Sequence, residues 1–330
     1  MQNLKTVKQL FQSPLVFNQL NPSNQWWAQY IYHFSHVVNI ASILNTGKII
    51  SREKVNKLSL QYLNDNANRE VIGGTSDFFK NLVRFYFRPL TPTQFRNEGI
   101  KSKKEISNSN LPAHCPVPVF LLFDLDIFDE PGIYFSYESL ASHHPVKLYN
   151  SFNDLCQAPF HDIYHSQPFT EFDDKQGIIK RRHAEIVIQN EIDLKYLKAI
   201  YCRNYAEALT LIDLLNPLAK LQWQNKILVI HPSYYSSMFN QTLQITEALI
   251  NQNQFIFKFN RPSYETFHAL VQIEDLNGNI LCSGSNPSFM LGNSMKGQLD
   301  IQENVNIQQP IRIKIIIDDN LVYSNTFNTF

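Results

Sequence analysis

Beyond residue 254 the apolar residues keep a period of two, and that regularity restricts this part of the chain to short strands. Alternating runs at 254–259, 267–274, 280–283, 288–291, 311–317 and 321–324 are parted by Asn277-Gly278, Asn286-Pro287 and Asp318-Asp319-Asn320. The first and last of these breaks are hairpin signals. Strands in this number with no helix between them predict a small all-β sandwich over 255–330. No histidine or carboxylate cluster marks it as catalytic, so a docking role is expected. The stretch 238–254 is rich in Gln and Asn with one short apolar element, and reads as a linker.

Before residue 238 the period changes from element to element. Residues 30–40 alternate like a strand, after which Ile40, Ile43 and Leu44 fall at helical spacing up to a terminating Gly47. An aromatic strand from Leu82 is stopped by Pro89 and Pro92. The unbroken apolar run from Val117 to Phe123 suits a strand buried on both faces, and 132–136 reads as another strand. Ala208, Leu211, Ile212 and Leu215 give a helical face that ends at Asn216-Pro217, and 227–230 is a further strand. The class is therefore α+β over 26–237. Residues 1–25, polar except at Leu10-Phe11 and Leu15-Val16-Phe17, are expected to be an extension with short docking segments.

Charge excludes one simple mode of action. Lys+Arg and Asp+Glu both number 29 in 330 residues, so any contact with a polyanion must come from a local patch. The 4 cysteines, Cys115, Cys156, Cys202 and Cys282, form no CxxC pair, which fits a reducing cytoplasm and argues against a zinc knuckle. No run approaches the roughly 18 apolar residues that span a bilayer. A GxGxxG fingerprint after a strand, a Walker lysine and a Gly-x-Ser-x-Gly elbow are all missing, which speaks against the corresponding nucleotide and hydrolase folds.

The chemistry concentrates in Lys180-Arg181-Arg182-His183-Ala184-Glu185-Ile186-Val187-Ile188, where cations precede a carboxylate at the head of an apolar strand. Two other blocks accompany it: His33-Phe34-Ser35-His36-Val37-Val38-Asn39, and Val83-Arg84-Phe85-Tyr86-Phe87-Arg88-Pro89-Leu90-Thr91-Pro92. In this order the blocks resemble the DarT family of toxin-type ADP-ribosyltransferases, which use NAD to modify nucleic-acid bases. The resemblance covers residues 27–236 in scattered blocks. Arg84 stands where the family usually has proline, and Leu90 where it usually has arginine.

The resemblance implies an ADP-ribosyltransferase-like split β-sheet, NAD as co-substrate, and Glu185 as the carboxylate that steadies the ribose cation. It implies NAD contacts from His33, Ser35 and Asn39, with Tyr86 packing on the nicotinamide. The family's arginine, between the first block and the aromatic strand, is assigned to Arg69 by position, with Arg52 as the alternative. Gly73-Gly74-Thr75 reads as an ordinary turn. The segment 146–179 holds Phe152, Phe160, Tyr164, Phe169 and Phe172 and reads either as a mobile recognition element or as aromatics packed in a second small core. Beside it Lys180, Arg181 and Arg182 suit the phosphates of a single-stranded acceptor, DNA or RNA. His143, His144, His161 and His165 could together offer a zinc site, but no cysteine or acidic partner sits at ligand spacing, so no metal is expected. An antitoxin or chaperone protein is a further expected partner, and a membrane is not. The other reading, from a different class, is a catalytically inactive member of this fold that binds nucleic acid or protein.

Overall fold

The structure is a computed structural model and describes residues 5–57, 77–109, 113–142, 144–251, 253–301 and 309–328. In chain order its first strands are β1 (Tyr30–His36), β2 (Lys48–Ile50), β3 (Leu82–Tyr86), β4 (Pro118–Asp124), β5 (Ile133–Ser136), β6 (Glu185–Gln189), β7 (Glu191–Asp193), β8 (Leu197–Cys202) and β9 (Ile227–Val229). A seven-stranded sheet runs β5-β6-β3-β1-β4-β8-β9, while β2 and β7 pair separately. Its neighbours are antiparallel except β8 and β9.

Side chains alternate across this sheet, and each face has its own core. Ile31, Phe85, Leu121, Phe123 and Ile186 point to the main core, together with the helix Val37–Thr46. That helix is capped by His36 at one end and closed at the other by Gly47, whose φ of 73° is the left-handed value glycine adopts readily. The opposite face carries Tyr32, Phe120 and Leu122 under Met238 and Phe239, and Leu82 and Val187 under Leu140. β4 is central and covered on both sides, as its unbroken apolar run requires.

The docking segments expected in the N-terminal extension are buried at Leu10, Phe11 and Val16, and Phe160 and Tyr164 of the segment 146–179 pack in the main core and not in a second one. The N-terminal extension is thus part of the main core, Leu20 included, and the Phe11 ring lies 5.5 Å from Phe160 and 6.3 Å from Phe87. The segment 146–179 contains the helices Phe152–Cys156, Phe160–Ile163 and Lys175–Arg181. Leu155, Phe160, Ile163, Tyr164 and Ile178 anchor these short helices by burial, which local propensity alone would not sustain.

The last part of the chain folds as β10 (Ile245–Asn251), β11 (Gln254–Phe259), β12 (Phe267–Glu274), β13 (Ile280–Phe289), β14 (Lys296–Asp300), β15 (Ile311–Ile317) and β16 (Asn320–Phe327). They form a three-stranded sheet β10-β11-β14 and a four-stranded sheet β13-β12-β15-β16. Asp318 and Asp319, with φ of 46° and 67°, make the two-residue turn between β15 and β16. Strand β10 lies inside the stretch expected to be a linker. Asn286-Pro287, expected as a break, is carried within the edge strand β13 at a register shift, where proline is tolerated.

This β unit is fastened to the rest. The Asp213 carboxylate, on the helix Tyr205–Asp213, accepts from Ser324 Oγ at 2.5 Å and Thr326 Oγ1 at 2.7 Å, and pairs with Arg312 at 3.1 Å. Arg203, fully buried, lies between Glu207 and Glu98 and donates to Thr242 Oγ1 at 2.8 Å and to the Pro116 carbonyl at 2.7 Å. Asn240 in turn donates to Glu98 at 2.8 Å. Residues 238–245 are thus packed and bonded, and one hydrophobic cluster runs through both units.

Candidate active site

The helix Lys175–Arg181 begins at Asp174, whose side chain accepts from the Gly177 amide at 3.0 Å, and its last turn holds Lys180 and Arg181. Arg182 closes the helix and the chain enters β6 at Glu185. There Glu185 lies directly opposite Tyr86 on β3 and Ser136 on β5. Directly opposed residues of an antiparallel pair share a face, so Glu185 and Tyr86 stand together.

Glu185 is only 1% exposed. Its Oε1 accepts from Ser139 Oγ at 3.3 Å, and the Leu140 amide also donates to the carboxylate. Oε2 receives no hydrogen bond from the protein, and the Arg84 guanidinium stands 3.5 Å from it. Burial pushes the Glu185 carboxyl above its ordinary value, opposed first by Arg84 and then by Ser139 and Leu140. Burial and the nearby Glu185 also push the Tyr86 phenol up, so it is a neutral ring. Phe34 lies 6.1 Å from Tyr86, ring to ring, and both are half-buried. A buried carboxylate with one oxygen lacking a donor, beside the Tyr86 ring, can accept from a sugar hydroxyl while a cation develops next to it.

The residues of the first block take other places. His33 and Ser35 lie on the face of β1 opposite to Glu185, because β1 alternates and Tyr32 is the residue paired with Tyr86. His33 Nδ1 meets the Arg84 carbonyl at 2.9 Å and its ring packs on Phe85, while burial lowers its basicity. Asn39 Nδ2 donates to Ser35 Oγ at 3.0 Å, tying the helix Val37–Thr46 to the strand before it. The structure therefore places these side chains behind the sheet that carries Glu185, where they brace it. Arg69 and Gly73-Gly74-Thr75 lie outside the described residues. Arg52 follows Ser51, which is bonded to Asn81 and Asn190. That is the Leu82–Gln189 end of the ladder, about 13 Å along β3 from Tyr86 at about 3.3 Å per residue.

The basic triplet divides. Lys180 pairs with Glu138 at 2.8 Å and Arg181 donates to the Tyr137 carbonyl at 3.4 Å, so both grip the turn that carries Ser139. Arg182 meets His165 Nδ1 at 2.7 Å and lies 4.8 Å over the Phe169 ring, on which His165 stacks at 5.4 Å. Arg88, just beyond β3, donates to the His165 carbonyl at 2.6 Å and the Ile163 carbonyl at 3.2 Å, fixing this group relative to the sheet. Phe172 is 90% exposed. Among the described residues no three metal-binding side chains gather, and His143 lies outside them. A cavity of about 410 Å³ between Ser42 and Leu321 has no wall from Glu185. Sequence reasoning missed Arg84, Ser139 and Phe34 as neighbours of the site. The available signal was Arg84 two residues before Tyr86, which puts both on one face of a strand.

The α+β fold thus sets the buried Glu185 beside Tyr86 on a mostly antiparallel sheet, and the class of enzyme follows from the family to which the sequence matches. The family described as "DarT: ssDNA thymidine ADP-ribosyltransferase" matches residues 32–236. The chain belongs to this family, and is an NAD-dependent ADP-ribosyltransferase acting on a base in single-stranded DNA. Among solved structures it is similar to Thermus sp. 2.9 DarT in complex with ADP-ribosylated ssDNA, at 14% identity and TM-score 0.47, over 66% of this chain and 98% of that one. The same protein in complex with NAD+ gives 14% identity and TM-score 0.44, over 66% and 100%. Thermosipho africanus DarTG in complex with ADP-ribose gives 16% identity and TM-score 0.45, over 68% and 54%. No curated protein matches the chain.

Proposed function

We propose that Glu185 is the catalytic carboxylate of a transfer of ADP-ribose from NAD to a thymine base. The observation that carries this is the buried Oε2 of Glu185, which has no hydrogen-bond donor in the protein and lies beside Tyr86. In the reaction the bond between the ribose C1′ and the nicotinamide nitrogen breaks, and nicotinamide leaves with the electron pair. A ring nitrogen of the base forms the new bond to C1′ and releases its proton to solvent water. Glu185 Oε2 accepts from the ribose 2′-hydroxyl and balances the positive charge that builds on the sugar. Tyr86 and Phe34 offer the nicotinamide a flat apolar wall. Arg182, with Phe169 and the exposed Phe172, supplies a cation for a phosphate and rings for unpaired bases, while Lys180 and Arg181 hold the turn of Ser139. A paired base would first have to be flipped, at a few kcal/mol, and an unpaired one avoids that step.

An enzyme that marks DNA bases fits a toxin working in the cytoplasm, restrained by an antitoxin protein. Among the described residues no helix is long and apolar enough to cross a membrane. The test is transfer from labelled NAD to a thymidine-containing single strand, its duplex, a strand without thymidine, and RNA of the same sequence. Label on the first alone is expected; equal label on duplex and single strand, or on the strand without thymidine, defeats the reading.

A further inference from the structure

We propose that Arg84 is the positioning residue for Glu185, fixing its carboxylate by ion pairing across the β3–β6 ladder. This rests on the reading of Glu185 as the catalytic carboxylate. Arg84 is opposed to Val187 and thus diagonal to Glu185, within reach of a long side chain. Its Nη1 lies 3.5 Å from Oε2, close enough for strong attraction yet too slack to engage the lone pair that a ribose hydroxyl needs. Its backbone is fixed from behind, where His33 bonds to its carbonyl at 2.9 Å. The Arg84 side chain is 26% exposed, against 2% for that of Glu185, so the guanidinium lies on the solvent side of the pair.

The other titratable groups around Glu185 leave this task to Arg84. They are Tyr86 on β3, Tyr134 on β5, Tyr137 and Glu138 in the following turn, and Lys180, Arg181 and His183 before β6. Lys180 is taken by Glu138, Arg181 by the Tyr137 carbonyl, and His183 by the Ile179 carbonyl at 3.0 Å. His183 is also held neutral by burial. A carboxylate so buried would otherwise take up a proton near neutrality and lose the charge that the reaction uses.

The experiment compares nicotinamide release and base labelling across pH for the intact chain and for Arg84→Met, Arg84→Lys and Glu185→Gln. Arg84→Met should lose about tenfold at neutral pH, in kcat more than in KM for NAD. The acid limb of its profile should move up by about one to two pH units, with activity returning at higher pH. Arg84→Lys should keep the limb near its original place. If Arg84→Met does not fold, Arg84→Gln serves for the same comparison. An unmoved limb, or an equal loss at every pH, overturns the inference. Persistent transfer by Glu185→Gln would instead defeat the reading of the site, whatever Arg84 does.

Discussion

Tyr86 and Glu185 face each other across one rung of the β3–β6 ladder, so the aromatic strand and the carboxylate strand meet exactly where their blocks of sequence are most distinctive. The register of a single strand pair thus assembles the site from residues about a hundred positions apart.

Glu185→Gln should lower transfer by about 100-fold or more without weakening the fold. Burial raises the folded carboxyl above its unfolded value. Its contribution to stability is therefore present below the unfolded value and lost as pH rises through the folded one. Once the carboxyl is ionised its buried charge opposes folding, and the amide removes that opposition. Parallel rate assays and thermal melts check this; a lowered melting temperature would contradict it.

Replacing Arg182 by alanine should weaken single-strand binding and reduce its salt slope by about 0.7, the share of one phosphate contact. Phe169→Ala should weaken binding by about 1–3 kcal/mol with the slope unchanged, because it removes stacking and not charge. Binding titrations at several salt concentrations separate the two effects.

Acid should unfold the protein through His36 and His114. Burial holds them at about 3 and about 4 in the fold, against about 6.5 when unfolded. Their folded values are depressed, so the stability they give is present above pH 6.5 and is lost as pH falls towards those values. The slope is about 1.4 kcal/mol per pH unit for each histidine. Buried Glu98, Glu185 and Glu207, all raised, act in the opposite sense. The check is therefore a difference: His114→Asn should melt with a shallower acid dependence than the parent.

Asp213→Ala should destabilise the chain by about 2–3 kcal/mol, since it leaves Ser324, Thr326 and Arg312 without their common acceptor. Denaturant titration measures it. A chain ending at residue 237 should fail to accumulate in soluble form, because Met238 and Phe239 complete the core over Tyr32 and Phe120.

Much of this was legible before any coordinates. The unbroken run of β4, the alternation after residue 254 and the turn at Asp318-Asp319 are local signals that neighbours reinforce. Glu185 could be placed at the head of a strand for the same reason. The face on which His33 lies could not be read, because alternation says only that His33 and Phe34 point opposite ways, and the pairing of Tyr32 with Tyr86 decides which of them meets Glu185. The helices of 146–179 were hidden too, since residues such as Ile163 and Ile178 order them through distant contacts. The ion pair of Arg84 required the β3–β6 register, which no single strand encodes.

The helix Tyr205–Asp213 presents Leu211 to the main core while Thr210 and Asp213 bind β16, with the Ser324 amide donating to Thr210 Oγ1 at 3.1 Å. One short helix therefore carries two sets of obligations. A recombination joint placed at residue 238 would separate β16 from the two side chains that receive it. The β unit could be inherited or grafted intact only if Thr210 and Asp213 travelled with it, which sets the heritable seam of this protein inside its transferase sequence and not behind it.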